Sequence, residues 1–217
     1  MLEDETFQWI EKEADTAKYL IQALVRQGRW QEAIDHCKEL NRTTDELNVA
    51  NAWTYLLAQL NNDLNDRQWE GSGPLPPDFL GLVRQAVDAM PADNPLLAYR
   101  ASNTLSWNIM SYCLWDPIPS RYIFEYRAKD LDKGVELARH ASQKFGKYDR
   151  MPATMALVQG VLLARANRTD EALKTLQKVL DEYPNVDVDN YTWEPQAPPA
   201  NGLVHFVIGL IHEHQHS

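Results

Sequence analysis

The sequence predicts an all-α protein in which antiparallel helix pairs stack into a superhelix, about four pairs followed by one closing helix. Three observations predict it. Apolar and small residues recur at i, i+4 and i+7, which places them on one face of a helix. Turn-forming clusters and prolines cut these stripes into segments of helix length. The same stripe–turn–stripe arrangement then returns along the chain, as repeat architectures require.

The first unit covers about residues 4–42. Ala17, Ile21 and Leu24 mark one helical face, Gly28-Arg29-Trp30 interrupts it, and Ala33, Cys37 and Leu40 resume it. The second unit, about 43–91, opens with Thr43 and Glu46 at capping-box spacing, and its first helix should reach about Asn65. Arg67 to Pro77 is then a Pro/Gly-rich surface excursion, in which Trp69 is the one residue expected to dock. Its Gly71 and Gly73 lack phosphate-loop spacing, and its prolines remove the N–H donors that such a loop uses. The partner helix, Asp78 to Met90, carries Phe79, Val83 and Ala86 and stops at Pro91.

The third unit, about 94–146, starts at Pro95 with Ala98, Ser102 and Leu105 in its stripe. Asp116-Pro117-Ile118-Pro119 ends that helix, and a second is expected over Arg121–Phe145 with Gly134, Ala138 and Ala141 as a small-residue face. In the fourth, about 151–184, Ala156, Gly160 and Leu163 precede the turn Asn167-Arg168-Thr169-Asp170, and Ala172, Leu176 and Val179 precede Pro184. The last helix, about 201–216, repeats the first-helix stripe as His205, Gly209 and His212. It also carries a second candidate stripe, Leu203, Phe206, Val207 and Leu210, that would cover the fourth pair.

The fourth unit resembles a tetratricopeptide repeat (TPR). Small Gly160 stands where two helices must touch, Ala172 where the second packs back, and Pro184 closes the unit. Ala156, Thr169 and Leu176 replace the usual aromatic residues. The string QGRWQEAIDHCKEL in the first unit resembles the same turn and second helix, here with Gly28 and an aromatic Trp30. The resemblance implies a single repeat domain over residues 1–217 that binds a protein or peptide in a groove lined by the first helices.

Composition fits that reading. Hydrophobic content of 44% suits a globular chain, and a net charge of −10 argues against nucleic acid as a partner. No apolar run reaches the roughly 18 residues of a membrane span. The acidic opening residues lack a signal-peptide pattern, so a cytoplasmic protein is expected. Cys37 and Cys113 are expected to be reduced core residues.

The candidate partner-binding wall comprises Lys18, Gln22 and Arg26 in the first unit, Tyr99, Asn103, Ser106 and Trp107 in the third, and Leu157, Val161 and Arg165 in the fourth. Phe206 and Leu210 would extend it onto the last helix. Cations flanking an aromatic, amide-bearing centre suit an extended peptide or an acidic tail. For Tyr99 and Trp107 the competing reading is plain core. His212 and His216, at i, i+4, form a weak metal candidate at the chain's frayed end; otherwise no metal, cofactor or catalytic group is expected. His205 and His212 are read instead as seam residues, and His214 and His216 as solvated. The alternative functions are a small-ligand-binding or enzyme-associated regulatory domain, and a self-associating repeat protein, for which a homo-oligomer is the partner.

Overall fold

The structure is a computed structural model that describes residues 16–69, 71, 73–115, 123–125, 127–186 and 202–216. All regular structure among them is helical: α1 (16–26), α2 (Trp30–Thr43), α3 (Glu46–Trp69), α4 (Phe79–Ala89), α5 (Pro95–Leu114), α6 (Leu131–Lys144), α7 (Arg150–Arg165), α8 (Thr169–Glu182) and α9 (Gly202–Gln215). They form two compact units, one ending at Ala101 and the other starting at Ser102, so the boundary lies inside α5.

In the first unit α2 packs on α3 and α4. Asn41 of α2 holds all three together: its amide donates to Ala89 O (3.0 Å) and its carbonyl accepts from Trp53 Nε1 (2.7 Å). Trp53 is fully buried, so its indole N–H needs that partner. Asp63 accepts from Trp30 Nε1 (3.0 Å) and Arg67 Nε (2.8 Å), and the Arg67 guanidinium also lies 5.3 Å from the Trp30 ring centroid. Arg67 Nη1 reaches Pro74 O (3.0 Å), pinning the excursion after α3.

In the second unit α7 is the central helix, packed on α6 and α8. Met151–Met155 and Gly160–Ala164 are all buried, and between them only Ala156 and Gln159 are half-exposed, whereas α8 buries only Ala172, Leu176 and Val179. α9 closes the unit against α8 and α7.

The two units share one turn. Gly28 (φ 74°) and Asn167 (φ 59°) each stop a helix in the left-handed region that Gly and Asn tolerate best. Arg29 N–H then donates to Leu24 O and Arg168 N–H to Leu163 O, both at 2.9 Å. Gly28 N–H reaches Val25 O (2.9 Å) and Asn167 N–H reaches Ala164 O (3.0 Å), completing a Schellman motif each time. Both arginines next grip a glutamate three residues on: Arg29 to Glu32 (2.7 and 2.6 Å) and Arg168 to Glu171 (2.9 and 2.7 Å). These hydrogen bonds lower the pKa of both carboxyls and raise that of both guanidiniums. The same backbone and the same side-chain device thus recur 139 positions apart.

Three boundaries differ from the expectation. Thr43 does not cap α3, because its hydroxyl donates back to Glu39 O; Asp45 does, accepting from Asn48 N–H at 2.8 Å. α3 runs on to Trp69, since Arg67 is held one turn back by Asp63; the Trp69 side chain lies outside the described residues. The helix expected from Arg121 starts only at Leu131, and 127–130 carry no helix. Lys129 N–H is taken by Cys113 O (3.0 Å) and Asp130 is left-handed (φ 49°), which blocks helix before that point. Readings on residues 4–15 and 116–122, and on Asn201, lie outside the described residues.

Candidate partner-binding surface

The first helices of the pairs present the candidate residues, and the boundary at Ala101 divides them between the units. Lys18, Gln22, Arg26 and Tyr99 belong to the first, and Asn103, Trp107 and Arg165 to the second.

On α1, Lys18 and Gln22 are half-buried and Arg26 is exposed. Tyr99, near the start of α5, is 54% exposed, so it is not core. Next to it, Arg100 donates to Asn51 of α3. Asn94 accepts from Leu97 N–H (2.9 Å) and donates to Glu46 O (2.8 Å), fixing the start of α5 against that of α3.

The first unit also contains a cavity of about 400 Å³ between α1, α2 and α3. Lys18 and Leu20 line it from α1, His36 and Leu40 from α2, and Asn51 and Ala52 from α3. His36 Nε2 is buried without a hydrogen-bond partner, and burial lowers the pKa of this ring, favouring its neutral form. Neither His36 nor the cavity was legible in the sequence, where His36 stood only as a neighbour of Cys37.

In the second unit Asn103 and Trp107 are half-buried. Arg150, at the start of α7, donates to Ser102 Oγ (3.2 Å) and Asn103 Oδ1 (3.4 Å), so Asn103 is tied to its own unit. Arg165 is half-buried at the end of α7, where a cation complements the helix C-terminus.

Several wall residues require correction. Leu157 and Val161 are 1% and 0% exposed, Ser106 is buried, and Leu210 is buried as well. Leu157 and Val161 lie among the buried residues of α7, the central helix of its unit, and α9 turns its Val204, Val207, Leu210 and Ile211 inward. That rotation also reverses the reading of α9. His205, Gly209 and His212 are exposed and not in a seam, Phe206 is 44% exposed, and Leu203 is only half-buried. His212 and His216 are both exposed, and the described residues hold no cluster of three or more metal-ligating side chains. His214 is exposed but not simply solvated, since its ring stacks on Phe124 at 4.0 Å.

Among the described residues no helix is long and apolar enough to cross a membrane. Cys37 and Cys113 are buried free thiols, each with its pKa pushed up to about 12 by burial.

Residues 157–185 match the family model for the tetratricopeptide repeat, a span that runs from within α7 through the whole of α8. Neither the curated proteins nor the solved structures compared with the chain gave a match. Within that span a Cβ added to Gly160 would lie 2.5 Å from Leu176 Cγ and Cδ2, so the two helices meet where only a glycine fits. The regular structure of the described residues is thus all helical, and one helix pair is similar to a tetratricopeptide repeat whose turn recurs in the first unit.

Proposed function

We propose that this protein is a non-catalytic interaction module that binds a peptide or protein segment along the first helices of its pairs. The α7–α8 repeat carries the reading, because repeats of this family characteristically serve protein–protein interaction. Exposed Arg26 and Tyr99 supply the residue types enriched in binding hot spots. The cavity beside Lys18 supports an anchoring role, with Leu20, Leu40 and Ala52 for an apolar side chain. A partner with acidic residues beside an aromatic anchor suits this surface. The same cavity favours a second reading, a small-ligand-binding regulatory domain.

The test is affinity capture with the intact chain, identification of the eluted protein, and titration of its minimal peptide. Arg26→Glu is expected to weaken an acidic peptide, less so as salt rises, since exposed charges are screened beyond about 8–10 Å. His36→Phe puts a larger, apolar ring on the cavity wall and is expected to weaken the peptide as well. A partner whose affinity ignores both changes overturns the assignment of this surface. If His36→Phe abolishes binding of a small molecule while capture of protein is unchanged, the second reading replaces the first.

A further inference from the structure

The cavity between α1, α2 and α3 lies where the described chain begins. Thr16 and Ala17, the first two residues described, line it together with Leu20, so residues 1–15 join the fold at this wall. The wall is apolar at Ala17, Leu20, Leu40 and Ala52, and among the described residues that line it Lys18 is charged and none is a carboxylate. That composition stands out in a chain with 31 acidic residues. Apolar surface continues beside it. Leu20 is 42% exposed, and Leu47, 49% exposed, stands one turn before the lining residue Asn51 on α3. Exposed apolar side chains grouped beside a cavity mark an interaction site.

Residues 1–15 complement this site in both respects. They carry Phe7, Trp9 and Ile10 at their centre, with Glu3, Asp4 and Glu5 before and Glu11, Glu13 and Asp15 after, against one lysine, Lys12. Six acids and one base give them a side-chain charge of −5, half of the chain's −10. A segment so acidic is repelled least by a wall without carboxylates, and an indole gains most from an apolar cavity. About 400 Å³ is a volume typical of small-ligand sites and admits an indole. Trp9 stands seven positions before Thr16, a reach of up to about 25 Å when extended, so the chain can turn back onto the wall. We propose that residues 1–15 dock in this cavity of their own chain, with Trp9 as the anchor, and thereby keep a partner's peptide out of it. The competition rests on the partner-binding reading above; the docking does not.

Fluorine NMR of the intact chain labelled with fluorotryptophan tests the docking, with Trp9→Phe identifying the Trp9 signal. The expected signal is displaced from that of a free indole and indifferent to heavy water. Leu20→Glu/Thr43→Glu changes two exposed wall residues to carboxylates, and should return the signal to its solvent-exposed position with helical circular dichroism unchanged. Calorimetric titration with a synthetic peptide of residues 1–15 checks the site independently. The Trp9→Ala chain should bind it, and the intact chain should bind it at least about tenfold more weakly, because its own segment competes at an effective concentration of millimolar order. A Trp9 signal that responds fully to heavy water, one that the double variant does not release, or a Trp9→Ala chain that ignores the peptide overturns the docking and leaves the partner-binding reading intact. If Trp9 is docked but Trp9→Ala does not tighten a captured partner's peptide, the docking stands and the partner-binding reading of this cavity falls.

Discussion

Gly160 and Gly209 occupy matching places in two helices, yet opposite behaviour is expected of them. Gly160→Leu forces a side chain into Leu176 and should cost about 1–3 kcal/mol or more, read as a lower melting temperature. Gly209→Ala adds a methyl in open space and removes the glycine penalty, so the monomer should gain about 0.5–1 kcal/mol. An unchanged melting temperature in Gly160→Leu would contradict the close helix approach seen there. Asn41 is the other residue on which much depends. Asn41→Ala strands Trp53 Nε1 and Ala89 O together, at roughly 1–3 kcal/mol for each group left unpaired, and urea titration should show the lower midpoint.

At the scale of elements, the turn between paired helices was readable because its chemistry is local. Gly28 and Asn167 announce a left-handed stop, and the next apolar stripe begins a few residues later. The face that α9 buries was not readable. Leu203, Phe206, Val207 and Leu210 form as good a stripe as Val204, Val207, Leu210 and Ile211, because the helix is apolar over most of its surface. Contact with α8 and α7 chose between them. Removal of residues 201–217 should bare the faces that α9 covers on those helices, lowering melting temperature and solubility together. A truncated chain equally stable and monomeric would show that α9 contributes nothing to its own unit.

For the whole molecule, each unit holds one buried thiol, Cys37 in the first and Cys113 in the second. Burial raises each pKa from 9.0 to about 12, so the folded state favours the protonated thiol. The stabilisation this gives is fully present below pH 9 and is lost as pH rises from 9 towards 12. Alkaline pH should therefore lower the melting temperature, and Cys37→Ser/Cys113→Ser should flatten that part of the profile. Thiol labelling across a denaturant series also reports on cooperativity. Because α5 runs unbroken through Ala101 and Ser102, both cysteines should become reactive at one midpoint; two midpoints would mean that the units open separately.

The sequence by itself determined that the chain is helical, where most helices start and stop, and that a TPR-like pair occupies its last third. Those features depend on residues a few positions apart: a left-handed glycine or asparagine, a proline, a spacing of four or seven. Only the tertiary structure decided which way each helix is rotated. It moved Leu157 and Val161 into the core, exposed His205 and His212, left a cavity beside His36, and delayed α6 to Leu131 through a bond from Lys129 to Cys113. Each of these depends on a neighbour distant in the chain, and a helix that is apolar on most sides gives no local signal of which side that neighbour will cover.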